Sequence, residues 1–482
     1  MCNARTDELT DLGVVDAAAA LTRRDVSAVE LTAACLARIR EVDGEHSHDG
    51  DPESINAWVR VYADDALAAA AQADELRSAG GELPPLLGVP IGLKDLYGVA
   101  GKPVTASSSL LADVPTEDCD VWRQLKAAGM VLLGHLHTHE FAAGGTTDQV
   151  GSPWDLARSA GGSSGGSAAA LAARMVPAAT GTDTAGSLRI PSACSGTSTI
   201  KPTRGHVSTA GIVPLSWSFD HSGPMARSLA DCRALLAVMT GPDRGRPAGA
   251  LHRAPSNDAR DSRPAAAARI AISPRIAFDA LDADVAVGFE RALDACRRID
   301  ATIIEPSPPA AGFNIDDEFL DILTADMLAY HRRFAGQRDR YRPALREWLE
   351  LGDSRAISDE AYARSQARRR QMTAAWSNWL EDQHITALIE PTIPTVAPLR
   401  GDGYTHAGSD IALISLTQFW NWTGFPVAAL PAGVGPASGL PVGVSLIGTA
   451  ASDWELLALG IELQRELGVP EFPTLKRRGE LP

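Results

Sequence analysis

Nowhere in the chain do two cysteines stand close enough for a CxxC pair. The six lie apart at Cys2, Cys35, Cys119, Cys194, Cys232 and Cys296. That spacing excludes a thiol zinc finger or a dithiol redox motif and fits reduced, scattered thiols. Cys194 sits in a run of small residues and reads as packing. No uninterrupted apolar run is long enough to span a bilayer. The stretch Met1 to Asp11 lacks the basic-then-apolar pattern of a secretion signal. Positive charge is also short: the formal net charge is −16. Broad binding to nucleic acid or anionic membrane is therefore not expected, since both want basic patches. No internal repeat is present. These absences point to a cytoplasmic protein with neither nucleic acid nor membrane as partner; a monomer or homodimer is expected.

What is present is an ordinary globular mixture, 45% hydrophobic and 22% charged over 482 residues. A core of this size needs no disulfide support. Residues 14–43 read as helical, with Ser27 and Glu30 spaced as a capping box. Residues 56–79 read as a second, alanine-rich helix. An apolar segment from Leu86 to Leu93 ends on Lys94. A helix is expected over Asp120 to Ala128, a strand over Met130 to Leu136, a helix over 167–175 and a strand from Met175 to Thr180. This alternation predicts an α/β layered fold. Residues 243–270, rich in Pro, Ala, Arg and Gly, read as a linker or surface loop. They divide a first part, 1–242, from a mostly helical part, 271–390, and a C-terminal part, 391–482. The helical block 316–382 is placed to serve as a cap.

Three short motifs carry chemistry. The run Gly161-Gly162-Ser163-Ser164-Gly165-Gly166-Ser167 is followed by Gly181-Thr182-Asp183-Thr184-Ala185-Gly186-Ser187, with Lys94 upstream in Gly92-Leu93-Lys94-Asp95. Two serines in tightly turning backbone and one lysine among apolar neighbours can build a nucleophile without histidine. Ser187 precedes a helix start whose unpaired N–H groups favour negative charge. Lys94 can act as a base only when burial lowers its pKa. Taken singly, each motif also has a plain reading: a Gly-Ser turn, a flexible loop, or a surface lysine at a strand end.

The order and spacing of the three resemble the amidase signature family of serine hydrolases. So do Ile200-Lys201-Pro202-Thr203-Arg204-Gly205 and the segment from Trp422 to Gly443. The resemblance implies a large mixed β-sheet core flanked by helices on both faces, and a cis peptide between Gly162 and Ser163. It implies Ser187 as nucleophile, Ser163 as relay and Lys94 as base. The N–H groups of Thr184, Ala185, Gly186 and Ser187 would form an oxyanion hole. Ser164, Asp183 and Arg189 would support the site, and Gly144, Gly145 and Thr146 would pass the scissile bond. No cofactor or metal is implied. The expected activity is hydrolysis of a small hydrophobic or aryl amide, with carbamate and ester as related substrates. A second expectation is the glutamine-hydrolysing component of a tRNA-dependent amidotransferase.

Two departures stand out. Ala185 stands where the family usually has Gly, and His135 and His137 stand where it usually has Lys and Asn. His135, His137 and His139 alternate, so on one strand they would share a face and could hold a metal. A metal-dependent amidohydrolase is thus the third reading. Gly161-Gly162-Ser163-Ser164-Gly165 also fits a hydrolase elbow, but Asp155 to Ala160 is a poor buried strand. Ser198-Thr199-Ile200-Lys201 fits S-x-x-K without its companion motifs. Trp217, Phe219, Phe419, Trp420, Trp422 and Phe425 are candidates for an apolar pocket, or for core.

Overall fold

The computed structural model describes residues 7–241, 268–401, 403, 404, 406, 408 and 411–472. Its strands are β1 (Trp58–Val61), β2 (Pro90–Lys94), β3 (Val131–Leu136), β4 (Gly151–Ser152), β5 (Asp155–Ser159), β6 (Ala178–Asp183), β7 (Ser198–Lys201), β8 (His221–Ala226), β9 (Arg269–Ile272), β10 (Thr302–Ile304), β11 (Ala387–Pro391), β12 (Val427–Val434) and β13 (Pro441–Ile447). Eleven of them form one sheet in the order β1-β3-β2-β6-β8-β7-β12-β13-β11-β9-β10. The sheet is mixed. β2 runs parallel to β3 and β6, and β9 parallel to β10 and β11, while the pairs between β6 and β11 are antiparallel.

Every residue of β2, β6, β8 and β11 is buried. Strands buried at all positions must be covered on both faces, which is why they read as mostly apolar or small-residue runs, broken by Lys94, Asp183, His221 and Glu390, rather than alternating ones. Helices supply the cover. Gly165–Ala172, nearly all alanine and glycine, lies against β6 and β2. Its small side chains let backbone approach backbone. The Leu229–Met239 and Asp453–Leu467 helices pack on each other and on the middle of the sheet.

Local signals account for several boundaries. Residues 14–43 form two helices, Val14–Arg23 and Ala28–Val42, because Arg24 adopts φ 62° and ends the first. The second starts on the capping box: the Ser27 side chain accepts from the Glu30 N–H, and the Glu30 carboxylate from the Ser27 N–H. The single helix expected over 56–79 is a strand followed by a helix, Ala63–Ala79. The Asp43 carboxylate accepts the N–H groups of Ala57 and Trp58, and β1 then pairs with β3. Those partners are far away in sequence and override local propensity. The linker expected over 243–270 falls outside the described residues as far as 267. Its last two positions, Arg269 and Ile270, belong to β9 and are sheet. β5, half exposed, pairs with β4 and bridges to Leu399 outside the main sheet; it leads into the Gly-Ser run and is not the buried strand that a hydrolase elbow requires.

The block 316–382 contains three helices, Asp316–His331, Pro343–Arg355 and Asp359–Asp382. It docks on the core through Phe141, whose ring meets those of His331 (4.8 Å between centroids), Phe334 (5.7 Å) and Tyr341 (6.0 Å). Beside it, buried Glu140 accepts from Ser108 Oγ (2.6 Å) and from the Arg342 N–H (2.8 Å).

Candidate active site

Lys94 closes β2, an interior strand between β3 and β6, and is 0% exposed. Its neighbour β6 presents Thr180 and Thr182 on one face by the period of two. Thr180 Oγ1 accepts from the Lys94 N–H (3.2 Å), and Thr182 Oγ1 lies 2.9 Å from Nζ. Nζ also lies 2.7 Å from Ser163 Oγ and 2.9 Å from Ser164 Oγ. Burial pushes this amine from 10.5 down to about 7, although the carboxylates of Asp183 and Asp220 pull the other way. A neutral amine has two hydrogens and one lone pair. Three hydroxyl oxygens surround Nζ: together they can accept all three hydrogens of the charged form, and one of them can instead donate to the lone pair of the neutral form. Asp95, the next residue, is turned to the opposite side, where its carboxylate accepts from the N–H groups of Thr105 and Ser107. Strand alternation therefore removes the neighbour that would have kept Lys94 charged.

The Gly162–Ser163 peptide is cis. A Cβ on Gly162 would stand 2.1 Å from the Thr146 carbonyl oxygen, so only glycine lets the two loops cross. The Ser164 N–H donates to the Ser187 carbonyl (3.3 Å), which ties the two serine loops together.

Ser187 sits between β6 and the Arg189–Ser195 helix, in a loop organised by buried Asp183. That carboxylate accepts from the Gly186 N–H (2.9 Å), the Leu188 N–H (3.1 Å), both nitrogens of an Arg189 fork (2.9 Å each) and Asn421 Nδ2 (2.8 Å). Burial alone would raise its pKa. The Arg189 guanidinium, with Lys201 and Asn421, outweighs burial and holds it well below the usual carboxylate range. Removing one partner of such a pair typically costs about 3–5 kcal/mol, because the other charge stays buried.

Two positions differ from expectation. The Gly186 N–H is committed to Asp183 and is not free for a substrate. Among the described residues, the N–H groups of Thr184, Ala185 and Ser187 have no protein partner. Thr146 does not reach the cavity. Its carbonyl accepts from His139 Nδ1 (2.9 Å) behind the loop, whereas Gly144 and Gly145 do line the cavity.

The cavity above Ser187 has a volume of about 380 Å³. Its floor is Thr184, Ala185 and Ser187, and one side is the 142–145 segment. Phe319, Leu323 and Met327, spaced by four along the Asp316–His331 helix, form the opposite wall with Leu320 and Trp348. Leu215, Ile411, Ala412, Ile414, Ser415 and Gln418 complete it. Among the described residues, Asp316 is the single ionisable group in the lining, and no Lys, Arg or His joins it. The aromatic candidates named from sequence do not line it: Phe219, Phe419, Trp420, Trp422 and Phe425 are core, and Trp217 is 55% exposed. The pocket aromatics Phe319 and Trp348 come from the helical block, whose distance in sequence from Ser187 leaves no local signal. Sequence reasoning also misses Thr182 and Asn421. Thr182 lies inside the recognised motif, but its contact with Lys94 depends on strand pairing.

The three histidines do not converge. His135 bonds Tyr62 (2.8 Å) and the Tyr97 carbonyl (3.1 Å), His137 bonds Ser107 (3.0 Å), and His139 bonds Thr146. β3 ends at Leu136, so His137 and His139 lie past the strand and share no face with His135. Among the described residues, no group of three or more His, Cys, Asp or Glu is arranged to hold a metal ion. This donor geometry does not support a metal-dependent hydrolase. Cys194 is buried, with its thiol pushed up to about 12 by burial.

The family model "Amidase" matches residues 30–457. The chain belongs to the amidase family. Its fold and its sheet are those of amidase signature enzymes, and it is a hydrolase of carbon–nitrogen bonds. It is 35% identical to a glutamyl-tRNA(Gln) amidotransferase chain of Roseiflexus sp. (strain RS-1), over 97% of this chain and 99% of that one. Native peptide amidase from Stenotrophomonas maltophilia superposes with a TM-score of 0.78 at 28% identity, covering 96% and 99% of the two chains. A 6-aminohexanoate cyclic dimer hydrolase complexed with substrate gives a TM-score of 0.81 at 26% identity, covering 95% and 97%. Among the described residues of this amidase, no helix is long and apolar enough to cross a membrane.

Proposed function

We propose that this amidase hydrolyses a small hydrophobic or aryl amide through an acyl-enzyme on Ser187, and that carbamates and esters are related substrates. The observation that carries the chemistry is the fully buried Lys94 Nζ, brought down to about 7 by burial, at 2.7 Å from Ser163 Oγ and beneath a cavity floored by Ser187. Lys94 takes the proton of Ser163 as Ser163 takes that of Ser187. Ser187 Oγ bonds to the carbonyl carbon, and the oxygen becomes an oxyanion facing the N–H groups of Thr184, Ala185 and Ser187. The proton returns along the relay to the leaving nitrogen as the C–N bond breaks. Water then attacks the acyl-enzyme by the same relay and frees the acid.

The apolar walls, with no cation among the described lining residues, support an uncharged substrate. The second reading is glutamine hydrolysis within an amidotransferase, which the 35% identity to the Roseiflexus chain favours. Glutamine carries an α-carboxylate, and the described lining offers no cation to pair with it. A panel of aryl amides, an ester, a carbamate and glutamine, run with the purified chain alone and with Ser187→Ala, tests both readings. Turnover of the aryl amides and its loss in the variant is the expected result. Glutamine as the sole substrate overturns the first reading, and full activity of Ser187→Ala overturns both.

A further inference from the structure

Asn421 is 0% exposed, on the Gln418–Thr423 helix far along the chain from the serine loops. Its side-chain orientation is settled by its partners. Asp183 offers only oxygen acceptors and Arg189 only donors, so one placement of the amide satisfies all of them. Nδ2 donates to the Asp183 carbonyl (2.9 Å) and to Asp183 Oδ1 (2.8 Å), and Oδ1 accepts from Arg189 Nη2 (2.6 Å). One turn earlier, Thr417 Oγ1 donates to the Ala185 carbonyl, and the Thr417 carbonyl accepts from Arg189 Nη1 (2.9 Å). Thr417 is the N-cap of this helix, and the spacing of four puts it and Asn421 on one side.

In a trans peptide the C=O and the following N–H point in opposite directions. Holding the Asp183 carbonyl toward Asn421 therefore turns the Thr184 N–H away from Asn421. Thr184 lines the cavity. The same logic orients Ser187, because the Gly186 carbonyl accepts from the Ile190 N–H (2.7 Å). The helix that seats Asn421 also lends Gln418 to the cavity wall, and the preceding turn lends Ile414 and Ser415.

We infer that Asn421 is a positioning residue for the hydrolysis: by holding the Asp183–Thr184 peptide it aims the Thr184 N–H at the carbonyl oxygen as that oxygen gains charge. This rests on the reading of Ser187 as nucleophile. Asn421 touches no substrate and acts through the peptide. Its loss weakens the transition state and leaves ground-state binding in the apolar walls intact.

The test uses the full chain with Asn421→Ala and Asn421→Asp. The aspartate keeps the acceptor for Arg189 but has at most one hydrogen to donate, which the Asp183 carboxylate claims, so the Asp183 carbonyl loses its donor. Steady-state rates on an aryl amide are read with inhibition by phenylboronic acid, which forms a tetrahedral adduct on a serine, and by benzyl alcohol, which fills apolar space. Near-UV circular dichroism reports folding. We expect kcat to fall about tenfold to hundredfold in both variants, with KM within about twofold. The boronate should weaken in step with kcat, and benzyl alcohol should bind as before. If Asn421→Ala does not fold, Asn421→Asp decides alone. A folded variant with the parent's kcat overturns the inference, as does a loss in which KM, boronate and benzyl alcohol all move together. Neither result touches the Ser187 reading, which fails only if Ser187→Ala turns over substrate.

Discussion

Titrating the enzyme through neutral pH probes Lys94 directly. The perturbation is proton concentration alone. With Nζ brought down to about 7 by burial, roughly half of the amine is neutral at pH 7 and about one part in a hundred at pH 5. Only the neutral amine can accept the Ser163 proton. We expect kcat/KM to level off above about pH 8 and to fall about a hundredfold by pH 5. The same group should show in stability, with the sign opposite to that of a satisfied salt bridge. The unfolded chain holds the Lys94 proton up to 10.5, whereas the folded chain releases it near 7. Between these values the unfolded state binds more protons, so this group makes stability rise with pH across that window. At about 1.4 kcal/mol per pH unit, the burial cost below pH 7 is about 5 kcal/mol, and it shrinks by about 2 kcal/mol between pH 7 and pH 9. The assay pairs initial rates on a chromogenic aryl amide with urea unfolding of the parent and of Lys94→Met at pH 7 and 9. The difference between the two proteins should change by about that 2 kcal/mol. Activity that is flat down to pH 5, an acid limb near 10, or a pH-independent difference from Lys94→Met would refute a buried neutral amine.

Asp220, pushed up to about 6 by burial, favours the charged form of Lys94, so Asp220→Asn should shift the acid limb of kcat/KM to lower pH; a limb that stays put or moves up counts against this. Leu323 faces the cavity from the Asp316–His331 helix, and Leu323→Asn should raise KM for aryl amides about tenfold while leaving kcat for a small aliphatic amide near the parent value. An equal loss on both substrates would point to misfolding instead. Dialysis against a chelator should leave turnover unchanged, since the three histidines are each bonded elsewhere; a loss restored by zinc would reopen the metal reading.

The local parts of this protein are readable one segment at a time. Ser27 and Glu30 announce a helix start because both partners of the capping box lie within one turn. The glycines around Ser163 and Ser187 mark tight backbone because the requirement is steric and local. The 316–382 block reads as helical for the same reason, since its signal is periodic composition over many turns. Where a partner is remote, the local signal misleads: Trp58–Val61 leaves a helical pattern because Asp43 and β3 claim its backbone.

From its sequence alone, this chain determined its family, its layered α/β class and which lysine and two serines to watch. Those depend on residue types and short spacings. Tertiary structure decided what the residues can do. Strand pairing set Thr182 against Lys94, alternation turned Asp95 away, and Asn421 came from more than 200 residues downstream to reach the Asp183 carbonyl. A side chain's proton affinity and a cavity's walls are sums over neighbours in space, and no window along a chain contains them.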